Sequence, residues 1–149
     1  MVDKTSNKKK IKLLLLEGDG IGPEICREAL KILDVLNRKY ALNLEIVMED
    51  VGLKSLEAVG STLPKHVLKL AKEVDGIVMG PMSTNEYPSK NNGGINPSGT
   101  IRKKLDLFAN VRPAKSYFRP TGSVGEGIDL VIVRENTEGF YSDRSMYVG

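Results

Sequence analysis

The chain's 149 residues, 40% hydrophobic and 28% charged with a formal net charge of +3, have the make-up of a soluble globular protein of about one domain. One cysteine excludes an internal disulfide framework, so nothing demands an oxidising compartment and a cytoplasmic protein is expected; one cysteine and one histidine also exclude a usual zinc site within the chain. With aromatic residues at 5%, the basic side chains lack stacking partners and no nucleic-acid role is expected.

Lys4, Lys8, Lys9, Lys10 and Lys12 form a basic N-terminal stretch that reads as a solvated tail without the apolar region of a secretory signal. Ile11–Leu16 is a continuous apolar run, which fits a strand covered on both faces. Its Leu13–Leu16 core is far too short to span a membrane, and no membrane partner is expected. Pro23 then opens a helix in its first turn, where its missing N–H costs nothing. Ile25, Ala29, Ile32, Leu33 and Leu36 recur at helical spacing to about Tyr40 and are expected to face inward, with Cys26 a small helical hydrophobe among them. Asn43–Asp50 reads as a second strand. Ser61 and Thr62 precede Pro64 and another amphipathic helix, with Val67, Leu68, Leu70 and Ala71 inward and His66 at the surface. Gly76–Gly80 is a third strand. The alternation argues for a parallel sheet with helices on both faces.

Residues Pro81 to Pro97 break the pattern with Pro, Gly, Asn and Ser and no periodicity. A loop this long is usually functional or disordered, and it leaves the C-terminal end of a strand, where open α/β sheets place ligands. Ser98 is expected to cap a short helix over Gly99–Leu105, with Arg102 four residues on along the same face. After the glycine-rich turn TGSVGEG, Asp129–Arg134 reads as a further strand.

Gly18-Asp19-Gly20-Ile21-Gly22-Pro23-Glu24 joins a buried strand to a helix. It suits either a tight turn or close approach of backbone to an anion, the turn being favoured. The dinucleotide fingerprint G-x-G-x-x-G fails, because Pro23 occupies its last position. Arg102, Arg112 and Arg134 are the sharper candidates. The last two lie at polar ends of apolar strands, where a guanidinium is paired or faces a ligand, and such forks bind carboxylates bidentately. Tyr141 follows, a group able to move a proton. Glu135, Glu138 and Asp143 pair with these arginines, approach a metal or form a solvated loop face.

LLEGDGIGPEI, GPMST (Gly80–Thr84), IRKKLDLFANVRPAK and DLVIVRENTEGFY together resemble the β-decarboxylating dehydrogenases, the isocitrate/isopropylmalate dehydrogenase family, in that family's order and over nearly the whole chain. The resemblance implies an α/β fold with a doubly wound, mostly parallel sheet unlike the Rossmann fold, here its N-terminal part and so incomplete. Residues 1–108 would belong to a large discontinuous domain and 109–149 would begin a small one. It implies oxidation and decarboxylation of a malate-type polycarboxylic hydroxy acid with NAD or NADP and Mg2+ or Mn2+, in a homodimer. Arg102, Arg112 and Arg134 would clamp carboxylates. Tyr141 would protonate the enolate carbon, and Ser83 and Thr84 would lie near the nicotinamide. The assisting lysine and the metal aspartates would follow Tyr141, so residues 1–149 by themselves are expected not to turn over substrate. Asn96 and Ser98 would meet the substrate's variable group. Being small and polar, they favour isocitrate-like acids over isopropylmalate. The rival readings are a non-catalytic regulatory or carboxylate-binding subunit and, more weakly, an ordinary nucleotide-binding α/β module.

Overall fold

The computed structural model describes residues 9–116 and 127–137, which fall into two compact units divided between Ile101 and Arg102. In the first unit, β1 (Ile11–Leu16), β2 (Leu44–Glu49) and β3 (Gly76–Met79) form a parallel sheet in the order β2-β1-β3. The register runs Ile11 to Leu44 on one side and Leu13 to Gly76 on the other. As the central strand, β1 is paired on both edges, and Leu14, Leu15 and Leu16 are fully buried. Each such leucine contributes roughly 1.5–3 kcal/mol through burial alone. Val51, Leu63, Val67, Ala71 and Ile101 complete this core.

Helix α1 (Gly22–Tyr40) has a proline in its first turn and stops where Ala41 turns left-handed and returns its N–H to the Asn37 carbonyl. Its inward face differs from the expected one. Cys26 is buried and Ala29, Leu33 and Leu36 are partly so, but Ile25 and Ile32 are 46% and 62% exposed. The helix carries two apolar arcs, and the one holding Gly22 and Cys26 turns to the sheet because small residues there permit close approach. The outer arc of Ile21, Ile25, Ile32 and Val35 stays exposed.

Helix α2 (Leu53–Val59) has no counterpart in the sequence reading; α3 (Lys65–Leu70) follows Pro64 as expected. Helix α4 spans Pro97–Lys104 rather than Gly99–Leu105, and Ser98 is not its cap. The Gly99 N–H donates to Asn96 Oδ1 at 2.9 Å, so Asn96 caps the helix and Pro97 takes the first helical position.

In the second unit, β4 (Ala109–Lys115) and β5 (Asp129–Glu135) pair antiparallel, with Ala109 opposite Glu135 and Lys115 opposite Asp129. Most of this ladder is exposed, including Val111, Val131 and Val133.

Candidate functional site

A cavity of about 440 Å³ opens beyond the C-terminal end of β3, the edge of a parallel sheet where ligands are usually received. Thr84, Asn96 and Ser98 line it together with Met79, Gly80, Pro81 and Met82. Three of the expected site residues therefore meet at one cavity. Ser83, between two of these, is not itself a lining residue, and its backbone N–H donates to Asp19 Oδ2 at 2.9 Å.

The loop that forms this wall holds only a short 3-10 turn, Lys90–Asn92, yet it is anchored at both ends. Asp19, 6% exposed, holds its start. Oδ1 accepts the Leu53 N–H at 2.7 Å, Oδ2 accepts the Ser83 N–H and the Tyr87 hydroxyl, and the Asp19 N–H donates to the Pro81 carbonyl at 2.8 Å. Gly18, at φ +74°, lies so close that a Cβ would overlap the Pro81 oxygen, and a Cβ on Gly52 would overlap the Asp19 carboxylate. The glycines of GDGIG thus let backbone segments meet, as the tight-turn reading of that stretch holds.

Thr62, fully buried, holds the loop's end. Its Oγ1 accepts the Ile95 N–H at 2.7 Å and lies 2.5 Å from the Ile95 carbonyl, while its backbone N–H donates to Gly93 at 3.0 Å. Ile95 precedes Asn96, so this anchor sets the position of both the α4 cap and the cavity wall.

The arginines lie in the second unit. The β4–β5 register sets Asn110 opposite Arg134 and Arg112 opposite Ile132, which puts Arg112 and Arg134 on the same face of the ladder. Arg112 Nε donates to Asn110 Oδ1 at 3.1 Å. Arg102 Nη1 donates to Asn136 Oδ1 at 3.3 Å. Asn136, 8% exposed, also donates from Nδ2 to the Leu107 carbonyl at 3.1 Å and from its backbone N–H to Phe108 at 2.9 Å. Tyr141 lies outside the described residues, as do Glu138 and Asp143.

Burial, with the Asp19 carboxylate beside it, pushes the Tyr87 phenol well above the ordinary tyrosine range, which keeps its hydroxyl a donor. Burial and the neighbouring Glu17 carboxylate likewise push the Cys26 thiol up, so it behaves as the inert helical hydrophobe its position suggested. His66 lies at the surface, with Nε2 3.1 Å from Glu49 Oε2. Among the described residues no group of three or more His, Cys, Asp or Glu is gathered to hold a metal, and no helix is long and apolar enough to cross a membrane.

The family profile described as isocitrate/isopropylmalate dehydrogenase matches residues 12–148. The chain belongs to that family. A 3-isopropylmalate dehydrogenase of Aquifex aeolicus is 36% identical over 141 residues, covering 89% of this chain and 39% of that protein. One of Cupriavidus pinatubonensis is 41% identical over 140 residues, covering 88% and 38%. Among solved structures, an isocitrate dehydrogenase from Methylococcus capsulatus superposes with a TM-score of 0.71 at 33% identity, covering 88% of this chain and 36% of that one. A β-decarboxylating dehydrogenase from Thermococcus kodakarensis gives 0.65 at 26%, covering 87% and 35%. The chain therefore spans about two fifths of the length of the relatives it matches. Its α/β architecture is that of the isocitrate/isopropylmalate dehydrogenases.

Sequence reasoning missed Asp19, Thr62, Tyr87 and Asn136, of which Asp19 and Asn136 lie within the family motifs. An acid between glycines reads as a turn residue, and Thr62 reads as a helix-entry residue before Pro64. Asn136 carried the clearest available signal, an amide directly after Arg134-Glu135 at a strand end.

Proposed function

We propose that the whole protein is a metal-dependent NAD(P) oxidoreductase that oxidises and decarboxylates a malate-type 2-hydroxy acid. The observation that carries this reading is the cavity itself: Thr84, Asn96 and Ser98 gathered at the C-terminal edge of a parallel sheet, in a chain of this family. In this reading residues 1–108 belong to the large discontinuous domain and 109–149 begin the small one, in a cytoplasmic homodimer.

Arg102, Arg112 and Arg134 hold the substrate carboxylates. Two of them share one face of a ladder, which suits forked, bidentate binding, and their charge also favours the enolate left by loss of the β-carboxylate. Tyr141 delivers a proton to the enolate carbon. Ser83 and Thr84 border the nicotinamide of a dinucleotide that supplies the hydride acceptor. Among the described residues no group of three or more His, Cys, Asp or Glu is gathered, and none is assigned to Mg2+ or Mn2+.

Asn96 and Ser98 meet the variable group. Asn96 Oδ1 is engaged by the Gly99 N–H, which leaves its Nδ2 as the end offered to a ligand. A donor there suits a carboxylate, and burying an isopropyl group against it forfeits on the order of 1–3 kcal/mol per unmade hydrogen bond. Isocitrate-like acids are therefore preferred. Isopropylmalate is the second reading, favoured by the names of the curated relatives and by Met79 and Met82 in the same cavity. A substrate panel on the intact protein and its Ser98→Leu form decides between them. Preference for an isocitrate-like acid, weakened by Ser98→Leu, supports the first reading, and preference for isopropylmalate in the unsubstituted protein supports the second.

A further inference from the structure

We propose that Asp19 is a positioning residue for the dinucleotide end of the cavity, acting through Ser83 and held in place by Tyr87; this rests on the reading that Ser83 and Thr84 border the nicotinamide. Asp19 does not line the cavity, yet it gathers donors from three separate segments. Leu53 begins α2, Ser83 lies between the cavity-lining Met82 and Thr84, and Tyr87 comes from farther along the same loop. Its backbone N–H also fixes Pro81. Chain direction is thus constrained at 81, 83 and 87, and Thr84 sits inside that span with little freedom to turn away from the cavity.

The chemistry suits a fixed wall. A carboxylate that is buried and meets three donors is well engaged, and displacing any one of them leaves its charge less fully satisfied in a water-poor place. Two donors are backbone N–H groups, which no substitution at Leu53 or Ser83 removes short of proline. Tyr87 is the removable one. Its hydroxyl shares Oδ2 with the Ser83 N–H, so it decides whether that oxygen keeps its alignment. A wall held this way is formed before ligand arrives, and the ordering cost of binding falls.

The test uses the intact protein and Tyr87→Phe, which keeps the ring and both backbone donors, with Asp19→Asn as a second variant of expected like sign. Dissociation constants for NAD+ and NADP+, the KM for the hydroxy acid and amide hydrogen exchange at Ser83 are measured together. The expected result is dinucleotide binding weakened about five- to tenfold, a hydroxy-acid KM within about twofold, and faster exchange at Ser83. Unchanged dinucleotide affinity in both variants overturns the inference, as does weakened affinity with unaltered Ser83 exchange. An unsubstituted protein that binds neither dinucleotide removes the site reading and the inference with it. Dinucleotide binding that is indifferent to both variants removes the inference alone.

Discussion

Thr62→Val isolates the anchor at the far end of the cavity loop. Valine keeps the side-chain shape but has no hydroxyl. The Ile95 N–H, 2.7 Å from Oγ1, loses its acceptor, and the Ile95 carbonyl loses a donor. The Gly93 carbonyl gives up its contact with Oγ1 at 3.2 Å but still receives the Thr62 backbone N–H at 3.0 Å. One partly buried donor left unmade costs about 1–3 kcal/mol, and with the lost carbonyl contact the expected destabilisation is about 2 kcal/mol. Thr62→Ser is the control. It keeps the hydroxyl and removes one methyl, a change of about 0.5–1.5 kcal/mol by analogy with other single-methyl deletions. Urea unfolding of the intact protein, read as a shift in midpoint at constant slope, measures both. If the hydroxyl is the anchor, valine costs more than serine. Equal losses, or a larger loss for serine, would show that Thr62 serves by packing alone.

Three further outcomes follow from the same contacts. Asn136→Leu removes the acceptor for Arg102 Nη1, so the hydroxy-acid KM should rise about tenfold while the dinucleotide KM stays within about twofold; parallel changes in both would refute a role through Arg102. Tyr87 has a raised folded-state pKa, so its contribution to stability is complete below the ordinary tyrosine value and is lost as pH rises beyond it. Unfolding free energy should therefore fall more steeply above about pH 10 in the unsubstituted protein than in Tyr87→Phe, and parallel curves would contradict this. The polypeptide 1–149 by itself, with Phe108, Val111, Val131 and Val133 exposed, should self-associate in sedimentation velocity; a monomer with a sharp cooperative melt would speak against it.

Strong local signals made much of the fold legible. Ile11–Leu16 announces a doubly covered strand, and Pro23 and Pro64 mark helix starts. The α4 boundary was misplaced because Asn96 and Ser98 are both good caps, and only the position of Pro97 separates them. The inward face of α1 was not decidable from periodicity, since both arcs are apolar. Helix α2 was hidden because it is one short segment whose first N–H, that of Leu53, is met by a residue 34 positions earlier, Asp19, a contact that only the tertiary fold creates. The placement of Arg112 and Arg134 on one face depends on strand register, which neither strand states alone. For the site, the family resemblance pointed to Thr84, Asn96 and Ser98, but the anchoring groups behind them have no local signature.

The most direct measurement is a steady-state assay of the intact protein with NAD+ or NADP+ and Mg2+ or Mn2+, offered isocitrate and 3-isopropylmalate, following reduced nicotinamide and released CO2 together. The account predicts metal-dependent formation of both products in equal amounts, faster with isocitrate, and loss of at least two orders of magnitude in kcat/KM on Arg112→Ala or Arg134→Ala. No reduction of either dinucleotide with either acid, or reduction indifferent to both arginines, would contradict it.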